Sequence, residues 1–155
     1  MGDISRQDLE KMVRRVLGEI LAEGGPAGLQ IKNSFRQTDP SGIMAFHTPA
    51  VKPEPFDTGK VGDRVFLKDM VTLEESPRLG FGVMEMDRST FKWTLNYDEV
   101  DYIIDGVLEI LIDGRKVVGR AGDVIFIPAR STIEFSAPGF TRFFYVVYPA
   151  NWYEQ

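Results

Sequence analysis

The residues best suited to chemistry are two carboxylates and the aromatic residues just before them. In a regular strand, alternate positions share one face, and here those positions hold Trp93, Leu95, Tyr97, Glu99 and Asp101. A loop at residues 96–98 would break this register. A carboxylate enclosed by indole and aliphatic groups must be paired with a cation or have a raised pKa, which is how proteins make general acids and bases. Arg130 is the candidate cation. We therefore predict that Glu99, Asp101 and Arg130 are the catalytic residues.

Each of these assignments has a structural alternative that the sequence leaves open. Glu99 is equally consistent with a carboxylate held by a structural hydrogen bond and without any role in catalysis. Trp93 and Tyr97 are candidates for substrate binding, but aromatic residues at such positions are more often part of the core.

The chain has one histidine and no cysteine. A catalytic zinc or iron site usually needs two or three imidazoles, so His47 cannot form one by itself, and we interpret it as a structural or surface residue. Without cysteine there is no disulfide framework, thiolate zinc site or cysteine nucleophile, which fits a cytoplasmic protein.

From about residue 61 onward the sequence has the pattern of a β protein, because short apolar runs are separated by the turn-forming residues Gly, Pro, Asp and Ser. The clearest predicted hairpin runs from Glu99 to Ile112, with Asp105-Gly106 as its tight reversal. A second turn is predicted at Asp113-Gly114. Successive short antiparallel strands of this kind close most economically as a jelly roll, so we predict a mainly β fold.

An amphipathic helix is predicted ahead of this region, with Ser5 as its N-cap. Gly24-Gly25-Pro26 ends the helix. We predict three parts: a helix and Gly-rich linker (1–28), an extended connecting segment (29–60) and a barrel (61–155). The apolar face packs either on the barrel of the same chain or on a partner protein. Its residues are Leu9, Met12, Val13, Val16, Leu17 and Ile20.

The distribution of charged residues indicates which classes of partner to expect. The formal net charge is −5 and the basic residues are scattered, whereas a nucleic-acid surface needs clustered lysine and arginine. The N-terminal residues include many charges and no later apolar run approaches the length that spans a membrane. We therefore expect a soluble protein that binds small molecules or proteins, with no nucleic-acid or membrane partner.

Two segments resemble the motifs of a known superfamily. Residues 96–106 resemble the first cupin motif, and residues 122–128 resemble the start of the second. More narrowly, the segments 93–99, 126–128 and 145–150 are similar to the ethanolamine-utilisation protein Q family. The resemblance implies a cupin-type jelly-roll β-barrel.

The chain departs from the cupin pattern at the metal ligands. The pattern places two histidines at about 93 and 95, or at 92 and 94, and none of these positions holds histidine. It also places glycine at 130 and histidine at 133, where this chain has Arg130 and Ile133. Of the four ligands only Glu99 remains, so we predict no transition-metal site.

The resemblance implies an activity as well as a fold. Members of the family act in bacterial ethanolamine catabolism inside a protein-shelled microcompartment, and an acetate kinase activity with ATP is attributed to them. Carboxylates could hold magnesium, with Asp98 and Glu99 as the candidate ligands, while no cofactor is expected to be tightly bound. Lys92, Glu109 and Glu134 are further candidates for substrate binding.

The family context also suggests partners and an alternative to catalysis. Short amphipathic helices on flexible linkers look like the encapsulation peptides that dock cargo to microcompartment shells, which favours a shell protein as the partner of the N-terminal helix. Cupins commonly pair, so a homodimer is expected. The alternative function is a non-catalytic scaffolding or binding module that recruits components to the shell.

Overall fold

The computed structural model describes residues 35–154, and the predicted N-terminal helix, including Leu9 to Ile20, lies outside them. The chain divides into two units, residues 1–44 and 45–155. In the described part of the first unit, β1 (Arg36–Thr38) pairs with β2 (Met44–Phe46), which runs into the second unit. No helix among residues 35–154 is long and apolar enough to cross a membrane.

The second unit is built almost entirely of strands, and the prediction of a mainly β fold is confirmed. Two single-turn 3-10 helices, Thr48–Ala50 and Trp152–Glu154, lie at its two ends. The strands are β3 (Glu54–Pro55), β4 (Val65–Asp69), β5 (Gly80–Asp87), β6 (Thr90–Leu95), β7 (Asp98–Ile112), β8 (Arg115–Arg120), β9 (Val124–Ile127), β10 (Ser131–Ser136) and β11 (Phe140–Tyr148). The main sheet therefore begins at β3, inside the segment predicted as a connection.

The nine strands form one antiparallel sheet in the order β3-β4-β5-β11-β7-β10-β6, and β8 and β9 also pair with β7. Strand β7 is the centre of this arrangement. Its first half pairs with β9 and β11, and its second half pairs with β8 and β10. Because one long strand takes part in both groups, the sheet curls around a single core.

The predicted reversal at Asp105-Gly106 is wrong, because β7 continues straight through it. Gly106 has a φ of 76° and pairs with Thr141. The register shifts two residues earlier in β7, between Arg142 and Phe143 of β11, where Ile104 is the extra residue of a β-bulge. The Asp-Gly pair therefore supplies a positive φ beside this bulge, as it would in a tight turn, but the strand is not reversed. The reversal is formed instead at Asp113-Gly114, where both φ angles are positive, as that second predicted turn requires.

The core lies on the concave face of the curled sheet. Alternate residues of β11, from Thr141 to Val147, are buried there, which is the pattern of a strand with one face toward the core. Phe135 stacks on Phe91 at 5.4 Å and on Phe143 at 6.4 Å between ring centroids. Each large side chain buried in this way contributes about 1.5–3 kcal/mol, so these rings hold the two halves of the sheet together.

Candidate functional site

The two predicted carboxylates lie side by side in the interior of the second unit. Glu99 is 6% exposed and Asp101 is fully buried, whereas Val100 and Tyr102 between and beyond them face outward. The alternation therefore places the two carboxyl groups on the inner face of β7, as the sequence indicates. Asp101 occupies the next inward position along the strand from Glu99.

Glu99 lines a small cavity whose walls are almost entirely aromatic and aliphatic. The cavity has a volume of about 20 Å³, which is room for roughly one water molecule. The aromatic residues that line it include Phe56, Phe91, Trp93, Tyr97 and Trp152. We call this space the lumen.

A chain of hydrogen bonds links the lumen wall to Glu99. The Nε1–H group of Trp93 donates to the hydroxyl of Tyr97 at 2.8 Å, and the hydroxyl of Tyr97 in turn donates to the carboxylate of Glu99. Across the lumen, the hydroxyl of Tyr145 donates to Oδ1 of Asp69 at 2.6 Å. Hydrogen bonds therefore fix the orientation of the polar groups of the wall, and none of these five residues carries a positive charge.

Burial shifts the titration of both carboxyl groups in the same direction. Desolvation raises the pKa of Glu99 to about 7, and the hydrogen bonds from Asp101 and Tyr97 oppose that rise. The pKa of Asp101 is raised well above its usual range, first by desolvation and then by the charge of Glu99. Both Oδ atoms of Asp101 are buried from solvent, and the carboxyl group that they face is that of Glu99. Two neighbouring carboxyl groups do not both ionise easily, because their negative charges repel each other. Asp101 therefore keeps its proton, while Glu99 exchanges one near neutral pH.

This arrangement can hold and release a proton in a water-poor site. A carboxyl group with a pKa near the working pH is suited to general acid or base chemistry. The residues brought together for it are Trp93, Tyr97, Glu99 and Asp101, all of which the sequence singled out.

The predicted pairing of Arg130 with Glu99 is not formed. Arg130 is exposed in the turn between β9 and β10, with a φ of 67°. Its backbone N–H donates to the carbonyl of Leu95 at 2.7 Å, so the turn is fixed while the guanidinium points away from the core. The prediction rested on Arg130 being the candidate cation for an enclosed carboxylate, whereas the residue lies in the exposed turn between β9 and β10.

Three other predicted binding residues lie on the outer surface of the sheet. Lys92 and Glu134 are cross-strand neighbours on β6 and β10, with 4.0 Å between Nζ and Oε1. Glu109 pairs with Lys116 at 2.8 Å on the outer side of β7 and β8. Lys92 and Glu134 occupy even-numbered positions of β6 and β10, which face away from the lumen. Glu109 faces the outer side of β7, so none of the three side chains reaches Glu99.

The predicted magnesium ligands Asp98 and Glu99 cannot share one ion. Asp98 is exposed and its Oδ1 accepts the backbone N–H of Ala129 at 2.7 Å, while Glu99 faces the lumen. Successive residues of a strand point to opposite faces, which is the reason for the failure. Among residues 35–154, no group of three or more His, Cys, Asp or Glu side chains is placed to hold a metal ion.

ATP with magnesium does not fit the lumen. Its volume matches one water molecule, and no lysine or arginine of the described chain lines it. Leu95 and Ile133, at positions where the cupin pattern expects histidine, are buried in the core. No phosphoryl-transfer step is therefore derived through this space.

Sequence reasoning missed three residues of the lumen. Tyr145 could have been found, because it is an inward residue in the alternation of β11. Phe56 comes from the segment after β3, and Trp152 comes from the C-terminal 3-10 helix. No local pattern marks them, because only the curl of the sheet brings these segments to the lumen.

Comparison with known proteins identifies relatives over nearly the whole chain. The family described as ethanolamine utilisation protein EutQ matches residues 4–154. A Clostridioides difficile protein named acetate kinase EutQ is 48% identical over 100% of this chain and 98% of its own length. The Salmonella typhimurium protein of the same name is 37% identical over 94% of this chain, which spans 64% of that relative.

Solved structures support the fold. The Clostridium difficile EutQ protein aligns with a TM-score of 0.75 at 56% identity, over 77% of this chain and 90% of that chain. The cupin domain of Schizosaccharomyces pombe Cnp3 aligns with a TM-score of 0.56 at 14% identity, over 68% of this chain and 73% of that chain. The predicted cupin fold is confirmed by these similarities.

Proposed function

Because the chain belongs to the ethanolamine utilisation protein EutQ family, we propose that it acts in ethanolamine utilisation as an acetate kinase. The reaction would interconvert ATP and acetate with ADP and acetyl phosphate. The observation that carries this proposal is the 48% identity to a protein of that name across almost the full length of both chains.

The proposal assigns the nucleotide to the outside of the barrel. Phosphoryl transfer depends on positioning and on cations that stabilise the charge of the transferred group, and the lumen lacks both room and lysine or arginine. A surface groove beside β6 has a volume of about 440 Å³ and is lined by Thr58, Gly59, Lys60, Lys92 and Glu134, among others. That volume lies in the range of small-molecule sites.

Lys92 is the cation available to a phosphate in this groove. Its ammonium is exposed and lies 4.0 Å from Glu134, at the limit of an ion pair. Lys60 is already engaged, since its Nζ donates to the carbonyl of Thr90 at 2.8 Å and lies 3.2 Å from Asp63. Glu134 could hold magnesium through its oxygens once the phosphates supply the remaining ligands.

The experiment is acetyl phosphate formation from ATP, acetate and magnesium by purified protein, expressed in a host that lacks its own acetate kinase. We expect Lys92→Ala to lose at least about tenfold in kcat/KM, the loss of one charge-stabilising contact. Lys116→Ala is the matched control, because its lysine is also on an outer strand but pairs with Glu109 away from the groove. Equal rates in the two variants would remove the groove from the proposal.

Glu99→Gln and Arg130→Ala test the lumen and the turn in the same assay. If the reaction occurs in the groove, both retain activity at matched folding. Loss of activity in Glu99→Gln would return the reaction to the lumen, which must then open to admit its substrates. Absence of acetyl phosphate formation by the unmodified protein would overturn the kinase proposal.

The second candidate is a non-catalytic scaffolding module of the ethanolamine microcompartment. The lumen, filled with aromatic rings, supports it, because a barrel without a substrate-sized interior is suited to presenting its surfaces. In that case residues 1–28 dock the chain to a shell protein, and deleting them abolishes co-sedimentation with shells while the barrel still folds. Unchanged co-sedimentation after the deletion would contradict this docking.

An exposed apolar face also supports assembly of two chains. Side chains of β7, β9 and β11 form one patch on the outside of the sheet, since Val100 pairs with Phe126 and Tyr102 with Val124. Val124 is 62% exposed and Phe126 is 61% exposed. Contiguous apolar patches of this kind mark interaction surfaces, and a self-complementary sheet face suits a twofold dimer. We propose this face as the homodimer interface.

A further inference from the structure

We propose that the lumen binds one small ammonium cation, which is held by the carboxylate of Glu99 and by the faces of the aromatic rings around it. This site is separate from the proposed kinase groove, and its test does not depend on acetyl phosphate formation.

The first observation is a buried negative group without a cationic partner. Glu99 and Asp101 are both buried, and no lysine or arginine of residues 35–154 forms an ion pair with either. Tyr145 lines the same cavity as Glu99, and its hydroxyl donates to Asp69 outside that cavity. Burying charge is costly unless it is paired, so a cation that enters this space is strongly favoured.

The second observation is the aromatic wall. Trp93, Trp152, Tyr97 and Phe56 line the same cavity as Glu99, and their rings pack on one another at 5.7–6.2 Å between centroids. A cation in this cavity would therefore lie against aromatic rings, which attract it through their electron density, and tryptophan does so most strongly. Aromatic cages of this composition select ammonium groups over strongly hydrated metal ions.

The third observation is size. The lumen holds about one water molecule, and the ammonium ion occupies nearly the same volume as water. A magnesium ion requires near-octahedral oxygen ligands, whereas an ammonium ion needs only a few acceptors. The carboxylate of Glu99 and the hydroxyl of Tyr97 offer such acceptors, and the rings replace the rest of the hydration shell.

The experiment is a titration of the full-length protein with ammonium chloride at pH 8, at constant ionic strength maintained with sodium chloride. The readout is the chemical shift of the Trp93 indole N–H, because this group donates to Tyr97 and Tyr97 donates to Glu99. We expect a saturable shift with ammonium. Tetramethylammonium is too large for the lumen and should produce none.

Two variants keep the result interpretable. Glu99→Gln removes the charge and should weaken ammonium binding at least about tenfold, which is one unit of log affinity. Asp101→Asn keeps Glu99 and provides a second test if Glu99→Gln fails to fold. It should weaken binding less than Glu99→Gln does. Glu109→Gln is the matched control, since Glu109 lies on the outer side of the same strand in an ion pair with Lys116, and it should leave the titration unchanged.

Three outcomes would overturn the proposal. The first is the absence of a saturable shift in the unmodified protein, which would mean that the lumen holds only water. The second is an equal response to potassium chloride, which would make the site unselective for ammonium. The third is an unchanged affinity in a folded Glu99→Gln variant, which would place the binding elsewhere.

Discussion

The stability of the barrel should fall as the pH rises through neutrality, and Glu99 should be the reason. Burial raises the pKa of its carboxyl group from 4.5 to about 7. Below pH 4.5 the group is protonated in both the folded and the unfolded chain. Between pH 4.5 and 7 the unfolded chain releases its proton while the folded protein keeps it, so stability decreases as the pH rises. Above pH 7 the full cost of burying the charge is present.

The size of the effect follows from that pKa. Each tenfold change in proton affinity corresponds to about 1.4 kcal/mol, so ionising Glu99 costs the folded protein about 3 kcal/mol relative to the unfolded chain. This is a large share of the stability of a small domain. Asp101 adds to the loss in the same direction, because its pKa is also raised.

The perturbation that isolates this term is Glu99→Gln, which keeps the shape of the side chain and removes its titration. Relative to the variant, the unmodified protein should lose about 3 kcal/mol of unfolding free energy between pH 4 and pH 8. The assay is urea unfolding at fixed protein concentration, followed by tryptophan fluorescence, because Trp93 and Trp152 both lie at the lumen. Glu109→Gln serves as the control and should change stability by less than about 1 kcal/mol.

The reasoning would be refuted if the difference between the two proteins stayed constant over this pH range. It would also be refuted if the unmodified protein became more stable than the variant as the pH rose. The latter result would mean that Glu99 is ionised in the folded state at low pH and finds a charged partner there.

The remaining predictions concern the bulge, a buried guanidinium and the outer face. Gly106→Ala should cost about 2–3 kcal/mol in thermal melts, since its φ is 76° and the carbonyl of Phe140 blocks a Cβ. Gly122→Ala, with a φ of 93° but open space around it, should cost about 1 kcal/mol, and equal losses would contradict this account. Arg142→Met should cost about 2–4 kcal/mol in urea, because the guanidinium donates to a carboxylate and two backbone carbonyls; a loss below about 1 kcal/mol would show that these contacts matter little. Phe126→Asp should convert a dimer to a monomer in light scattering, whereas a dimer that persists would place the interface elsewhere.

The sequence was sufficient for the two carboxylates, which lie on one strand. The alternation of Glu99 and Asp101 along β7 correctly placed them on one face, because period two is a property of the backbone and needs no tertiary information. Trp93 lies on β6, across a bend at residues 96–97 that interrupts the alternation. The same rule explains why Lys92 and Glu134, at even-numbered positions, lie outside, and applying it to them would have removed them from the lumen in advance.

The sequence was insufficient where two local structures share one signal or where distant segments meet. Asp105-Gly106 predicts positive φ correctly, but a continuous strand beside a bulge can use it as well as a hairpin can, and only the pairing of β7 with β11 distinguishes them. Arg130 was expected beside Glu99 because it was the candidate cation, and residue type alone does not show which way the side chain of a turn residue points. Trp152 reaches the lumen from the last turn of the described chain, at a separation that no periodicity spans.

The apolar residues at the histidine positions bear on the unusual state of Glu99. Leu95 and Ile133 are buried where the cupin pattern places two histidines, so neither position supplies a polar or charged group. Glu99 instead lines a cavity that holds about one water molecule. A desolvated carboxylate without a metal must take up a proton or a small cation. The lumen and the outer surface can therefore be tested separately. Glu99 variants test what the interior binds. Lys92 variants test catalysis on the outer surface, and Phe126 variants test assembly there.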